Sequence, residues 1–304
     1  MCLWLVLMAG VCGCGENNES SPAQPVAVLS AFPAELAAYL EHATVSETVL
    51  VGDKVFRLGV LGGVPVVMGV TGIGLLNATM TTHAVLERFA VRGVVVSGVA
   101  GSPLLIGDVT VPATWTTTDG ATYSAHPEWL DMAQGIAASG TVSLDRCTLV
   151  PSKSQDPVCV LGDPAIVVGG VGMSSDPFGN TPFPCQPSGN DLYGCDVVPV
   201  ATPSVAALDR HAMAALASAA AEAPVVNDME TAAIAAEAAA KGVPFIAFRA
   251  VSDGAGDPLK LGPFPFQFTA YYHLAAHNAA AAMVAFLERL AGASSAPSAD
   301  ARQL

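Results

Sequence analysis

The sequence predicts an α/β fold: a single domain of three layers, with a central mixed, largely parallel sheet flanked by helices. Three observations carry this expectation. Short runs of β-branched residues alternate along the chain with helix-like, Ala-rich stretches. Several of the strand-like runs are apolar throughout, as strands covered on both faces are. No linker or internal repeat interrupts residues 26–290 of a chain of 304 residues, 52% of them apolar. Length alone allows one large or two small domains; the absence of a linker or repeat selects one.

The elements follow in order. Residues 26–30 (VAVLS) form a short buried strand, and residues 33–41 a helix with Pro33 in its first turn, where a missing N–H costs nothing. Residues 55–60 and 64–70 are strands joined at Gly62-Gly63. A helix over residues 75–89 follows the turn Thr71-Gly72-Ile73-Gly74. Residues 94–97 are an apolar strand ending at Gly98. Residues 109–112 are another, placed on a sheet edge by Pro112. Residues 165–171 read as a strand, 204–221 as an Ala-rich helix, 230–241 as a second helix, 244–251 as a buried strand and 268–290 as a long terminal helix. Residues 116–200 break the rhythm. They are rich in Pro and Gly and read as an elaborated loop region stapled onto the sheet.

Composition narrows the function. The formal net charge is −14, from 12 Lys+Arg against 26 Asp+Glu. A polynucleotide partner needs a basic face that displaces counterions, and none is present, so no nucleic-acid role is expected. The chain opens on an apolar run, Met1 to Val11, followed by Cys12 and Cys14. Val11-Cys12-Gly13-Cys14 resembles a bacterial lipobox with Cys14 lipidated; Ala9-Gly10-Val11-Cys12 is a poorer version of it. The expectation is a lipoprotein-type export signal over residues 1–14, a tether over 15–25 and a disordered tail over 291–304. The chain is then periplasmic or on the cell surface, touching a membrane only through its N-terminal lipid anchor. No Lys or Arg precedes the apolar run, which departs from the usual signal, and the run is too short to span a bilayer of ~30 Å.

Cys147, Cys159, Cys185 and Cys195 all lie in the 116–200 insertion. An even count in an oxidising compartment suggests two disulfides. Pairing Cys147 with Cys159 and Cys185 with Cys195 closes the shortest loops; two other connectivities, or free thiols, stay open. No CxxC or adjacent His completes a metal set, and His273 and His277 share a helix face without the acid of HExxH. No metal is expected.

In parallel α/β sheets, ligands bind where strands end and loops begin. Four strand ends carry distinctive residues: Ser30-Ala31-Phe32-Pro33-Ala34-Glu35, Ser97-Gly98-Val99-Ala100-Gly101, Asn227-Asp228-Met229-Glu230 and Arg249-Ala250-Val251-Ser252-Asp253. GVTGIGLLNA at 69–78, SGVAGS at 97–102, DMETAAIA at 228–235 and FRAVSD at 248–253 together resemble the nucleoside phosphorylase superfamily, most closely its methylthioadenosine/S-adenosylhomocysteine nucleosidase branch. The resemblance runs from about residue 26 to 290 and is weak between 116 and 200.

The resemblance implies roles. Asp253 faces N7 of a purine and helps the base leave, oriented by Ser252. Glu230 accepts hydrogen bonds from the ribose hydroxyls, with Met229 on the sugar face and Asp228 a weaker candidate beside them. Glu35 activates the attacking water. Phe178 resembles the aromatic that stacks on the purine, and Val99 and Ala100 lie against the nucleoside by their backbone, with Gly98 and Gly101 permitting close approach. Arg249 is a structural ion-pair partner. Each residue also has an ordinary reading. Asp253 is a turn or helix cap; Asp228, Glu230 and Glu35 are acids favoured in a first helical turn; Phe178 is a core aromatic.

The expected reaction is hydrolysis of the N-glycosidic bond of a purine nucleoside to free base and ribose or 5′-substituted ribose, without a cofactor. Phosphorolysis on the same scaffold is the alternative. Phosphate recognition wants Arg or backbone N–H donors, and residues 30–35 and 94–97 hold no Arg, although Arg57 and Arg88 can be supplied from elsewhere. A non-catalytic nucleoside-binding or storage protein is the third reading. The Thr71-Gly72-Ile73-Gly74 turn lacks the third Gly and the acid of a dinucleotide fingerprint, and Gly162-Asp163-Pro164 reads as a turn. The resemblance also implies a homo-oligomer, most simply a dimer. The nucleoside and its 5′ substituent are not chosen by the sequence.

Overall fold

A computed structural model describes residues 23–150, 156–178, 181–187, 189–197 and 226–295. Its strands are β1 (Val26–Ser30), β2 (Thr44–Val51), β3 (Lys54–Leu61), β4 (Val64–Val70), β5 (Gly93–Leu105), β6 (Val109–Val111), β7 (Thr114–Thr117), β8 (Thr122–Ser124), β9 (Cys147–Thr148), β10 (Val158–Cys159), β11 (Ile166–Val168), β12 (Val171–Ser174), β13 (Val226–Asp228) and β14 (Phe245–Ala255). Its helices are α1 (Pro33–Leu40), α2 (Leu75–Arg88), α3 (Pro127–Ser139), α4 (Thr231–Ala240) and α5 (Phe266–Ser295).

The sheet runs β2-β3-β4-β1-β5-β13-β12-β7-β8, and β14 joins it by pairing with both β5 and β6. The central pairs β4–β1, β1–β5 and β5–β14 are parallel, while β2, β3 and β4 form an antiparallel meander. Alternation of side chains along each strand builds two cores. Val26, Val28, Val95, Ile246 and Phe248 pack on one face with α1, α3 and α5. Ala27, Leu29, Val94, Val96 and Ala247 pack on the other with α2 and α4. This is the three-layer α/β domain expected, with a mixed sheet.

Several expectations need correction. β5 does not end at Gly98 but runs to Leu105, because β14 pairs along it from Phe245 opposite Val94 to Ala255 opposite Leu105. The apolar pattern stops at Ser97, yet the hydrogen-bond ladder continues. β6 is not an edge strand: it pairs with β11 and β14, and Pro112 lies just past its end, where no ladder N–H is required. Residues 165–171 are two strands, β11 and β12, turned apart by Gly169 and Gly170, whose φ values of +103° and +78° suit glycine. Residues 116–200 are more than a loop. They include α3, which buries Trp129, Ala133 and Ile136 at helical spacing, and they place β11 and β12 in the main sheet. β2 was not foreseen; it is mostly exposed and among the described residues pairs only with β3, so burial did not pattern its sequence.

α5 continues to Ser295, five residues into the segment expected as a tail. Ala291 packs against the core there, and a Cβ at Gly63 would lie 3.3 Å from its own Cβ. The two disulfides are local, Cys147–Cys159 and Cys185–Cys195. Among the described residues no helix is long and apolar enough to cross a membrane. The leader with Cys12 and Cys14, most of the tether, the helix expected at 204–221 and residues 296–304 lie outside the described residues.

Candidate active site

The parallel register of β1, β5 and β14 brings their carboxyl ends to one edge, where β13 also ends. Arg249 on β14 stands opposite Gly98 on β5. A Cβ at Gly98 would lie 2.2 Å from Arg249 Nη1 and 2.3 Å from Glu35 Oε1, so only glycine leaves room for this pair. Gly98→Ala is therefore expected to overpack the site and cost about 1–3 kcal/mol of stability, read as a lowered Tm by calorimetry.

Arg249 is the centre of the cluster and fully buried. Its Nη2 lies 2.7 Å from Asp228 Oδ2 and 3.0 Å from Glu230 Oε2, and its Nη1 lies 3.4 Å from Glu35 Oε1. Its Nε donates to Thr231 Oγ1 at 2.9 Å. One guanidinium thus faces three buried carboxyl groups, which makes Arg249 the ion-pair partner expected, with more partners than its sequence context disclosed.

Glu35 is not the exposed helix-end acid of its ordinary reading; it is 1% exposed. Its Oε2 accepts the N–H groups of Ala31 (2.6 Å) and Phe32 (3.4 Å), and its Oε1 accepts that of Val99 (2.7 Å). Three main-chain donors and a guanidinium therefore converge on this one carboxyl group. Burial pushes its pKa up, against the opposing pull of Arg249 and the three N–H groups.

Glu230 is the N-cap of α4, and its Oε1 accepts Gly74 N at 3.0 Å from the start of α2. Burial raises its pKa; Arg249 opposes the rise, while the charges of Asp228 and Glu35 add to it. Asp228 is engaged on both oxygens. It accepts from the Ser174 and Thr231 hydroxyls, from the N–H groups of Glu230 and Thr231, and from Arg249. These bonds hold α4 and Arg249 in place, so protein groups take up the capacity that a sugar contact would need. Met229 sits half-buried between the two acids.

Asp253 lies within β14 and caps no helix. Ser252 Oγ donates to its Oδ1 at 2.8 Å, and burial pushes its pKa up against that bond. Gly101 leaves the space it needs, since a Cβ there would lie 2.7 Å from Asp253 Oδ2. Ala100 contributes its carbonyl to Ser252 Oγ at 3.3 Å, and Val99 its N–H to Glu35, so both backbones are already part of the site. Phe178 is half-buried beside the start of α2: a Cβ at Gly74 would lie 3.2 Å from its ring. Its ring also meets that of Phe183, with centroids 4.8 Å apart.

Sequence reasoning missed the start of α2. Gly74 N is held by Glu230, and Leu75 N donates to Asp176 Oδ2 at 2.8 Å. The Thr71-Gly72-Ile73-Gly74 turn was the available signal, and it serves carboxylates rather than a dinucleotide. The two arginines considered for phosphate are engaged elsewhere. Arg57 forms a two-pronged pair with Asp196 at 2.8 and 2.7 Å, and Arg88 lies over the Phe89 ring. Among the described residues no group of three His, Cys, Asp or Glu side chains is disposed to hold a metal ion.

Comparison with known proteins gives the chain a family and a fold. A family model described as the phosphorylase superfamily matches residues 25–288. An uncharacterized protein of Mycobacterium tuberculosis is 38% identical over 198 residues, covering 58% of this chain and 77% of the relative. A 5′-methylthioadenosine/S-adenosylhomocysteine nucleosidase of Shewanella denitrificans is 27% identical over 268 residues, covering 87% of this chain and 99% of the relative. Among solved structures, the nucleosidase of that name from Neisseria meningitidis, in complex with methylthio-immucillin-A, superposes with a TM-score of 0.59 at 20% identity, covering 88% of this chain and 100% of its own. Futalosine hydrolase of Helicobacter pylori gives 0.59 at 18% identity, covering 88% and 98%. These two likenesses establish the fold.

Proposed function

The chain belongs to the phosphorylase superfamily, and from that premise we propose that it hydrolyses the N-glycosidic bond of a purine nucleoside, releasing free base and ribose or a 5′-substituted ribose. The relatives at 25–27% identity that span nearly their whole length are nucleosidases, which supports this reaction class. One observation carries the choice of water over phosphate. The donors that would cradle an anion at the end of β1, Ala31 N, Phe32 N, Val99 N and Arg249, already converge on the carboxyl group of Glu35. The N–H groups at the start of α2 are likewise taken by Glu230 and Asp176. Inorganic phosphate needs such donors free and would meet carboxylates instead.

The geometry supports the following roles. Glu35 takes a proton from water as it attacks the anomeric carbon; each of its oxygens carries one short N–H contact and one long contact of 3.4 Å, and the long, weak contacts are the ones an incoming water can replace. Positive charge develops on the sugar in the transition state. Carboxylates held in place around one guanidinium present, where ionised, charge of the sign that stabilises it. Glu230 and Met229 hold the ribose. Asp253, raised by burial, keeps its proton over a wider pH range than an exposed aspartate and donates it toward N7 of the departing base. Phe178 supplies a flat apolar face for the purine. Asp228 and Arg249 keep these groups in register.

Export as a lipoprotein belongs to the same proposal. It rests on the Cys12–Cys14 leader and suits the two disulfides, which persist in oxidising compartments. Scavenging of external nucleosides fits that location better than processing of an internal metabolite, and a dimer is the proposed assembly. The test is chromatographic: base release from adenosine, inosine and methylthioadenosine, each with and without phosphate. Free base and free ribose sugar without phosphate are expected. Release only with phosphate, yielding a ribose 1-phosphate, would overturn the hydrolase.

A further inference from the structure

The loop closed by Cys185–Cys195 has no part in the reaction as described above, yet it is fastened to the elements that carry the site. Its base is tied to β3 through Asp196 and Arg57. Phe183, just before it, accepts Asn77 Nδ2 of α2 at 2.7 Å and packs its ring on both Phe178 and Tyr193. Within the loop, Asn190 Oδ1 accepts the N–H groups of Leu192 and Tyr193, and Gln186 N donates to Tyr193 O, so the turn around Asp191 is fixed from inside.

Asp191 reaches both ways out of that turn. Its carbonyl oxygen accepts Ala34 N at 2.7 Å. Ala34 stands in the first turn of α1, between Pro33, which has no N–H, and Glu35, whose N–H goes to Phe32 O. First-turn N–H groups have no intrahelical partner, so this bond fixes where the helix begins and how its third residue is aimed. The Asp191 side chain anchors the same residue to α5. Tyr272 OH donates to Oδ2 at 3.1 Å, and His273 Nε2 lies 2.9 Å from that oxygen. The Tyr272 ring is in turn packed edge-on against Phe32, the residue that precedes α1.

We propose that Asp191 is a positioning residue for Glu35, and that the disulfide-closed loop carrying it is a working part of the hydrolytic site. The inference rests on the reaction proposed above. Side-chain bonds to α5 hold the Asp191 carbonyl on Ala34 N; that bond holds the first turn of α1; and the first turn aims the Glu35 carboxyl at Val99 and the reacting water. The loop's effect therefore falls on turnover rather than on affinity.

The experiment compares Asp191→Ala, Asp191→Asn and Tyr272→Phe with the wild-type full chain. Its readouts are kcat and KM on the best nucleoside of the panel and hydrogen exchange over residues 31–36 by mass spectrometry. Misaiming a reacting group by about 1 Å costs on the order of 100-fold, so Asp191→Ala is expected to lower kcat by roughly 10- to 100-fold with KM within about threefold. Exchange over residues 31–36 should be faster. Asp191→Asn keeps an oxygen for Tyr272 and should recover most of kcat. Tyr272→Phe, which keeps the ring packing, should show the same pattern more weakly and serves if Asp191→Ala does not fold. Unchanged kcat in folded Asp191→Ala, or a fall in kcat matched by KM and not rescued by Asn, overturns the proposal. If the wild type releases no base, the hydrolase reading falls by itself; unchanged exchange over residues 31–36 would then overturn the placement of α1 by Asp191 as well, and faster exchange would sustain it.

Discussion

Glu35→Gln should cut turnover by roughly 10²- to 10⁴-fold while leaving nucleoside affinity within a few-fold of wild type. The size follows from removing a general base. Gln has the same shape and keeps one oxygen, but it has no carboxylate to take the proton of the attacking water. It also removes one of the carboxyl groups clustered around Arg249, beside the cation of the proposed transition state. Binding should survive because in the proposed reaction base and ribose are held by other groups: Asp253, Phe178, Met229 and Glu230. The amide can satisfy Ala31 N or Val99 N but not both, since one of them then faces an NH2, so some loss of stability should accompany the loss of rate. Single-turnover kinetics at saturating nucleoside and titration calorimetry separate the two effects. Turnover kept within tenfold would remove Glu35 from the mechanism. Because burial raises Glu35, the acidic limb of the wild-type rate profile should sit above the ordinary glutamate range, and the rate should fall as pH drops through it.

The residues of this site were legible in the sequence, but their arrangement was not. Glu35, Met229 and Glu230 closely follow strand ends and Asp253 lies near the end of β14, and the strands themselves follow from apolar runs that are buried on both faces. What the sequence could not show was that Glu35 is buried, because its donors come from Ala31, Phe32 and from Val99, sixty-four positions away. Asp228 looked like a sugar ligand because it adjoins Glu230; only the fold shows Ser174, Thr231 and Arg249 closing on it. α3 carried readable signals, with Pro127 at its start and Gly140 just past its end, but the Pro-rich stretches around it masked them. Asp191 had no signal at all. Its importance comes from contacts with α1 and α5, elements remote in sequence, and no local periodicity encodes such contacts.

Arg249→Met should be the most destabilising single change in the site, and its cost should grow with pH. Among the described residues Arg249 is the one cation in contact with Glu35, Asp228 and Glu230. Methionine fills part of the space but leaves three buried carboxyl groups without a counter-charge. Removing one partner of a buried pair typically costs about 3–5 kcal/mol. The carboxyl groups have a way to relieve this, which is to take up protons. The folded pKa values of Glu35 and Glu230, already raised by burial, then rise further above those of the unfolded chain, which lie near ~4. Between the two values the folded state binds more protons than the unfolded state, so stability falls as pH rises through that window. Below it, both states are protonated and the charges no longer oppose folding. The Tm deficit of Arg249→Met relative to wild type should therefore be small near pH 4.5 and largest near pH 8. Wild type should show a shallower slope of the same sign, since burial already raises Glu35, Glu230 and Asp253. Arg249→Lys should fall between them, because a single ammonium cannot reach all three acids in the way a guanidinium fork does. Calorimetric melts across this pH range decide the matter. A deficit that does not change with pH would mean that Arg249 acts by filling space, and the charge cluster would lose its place in the account of both stability and catalysis.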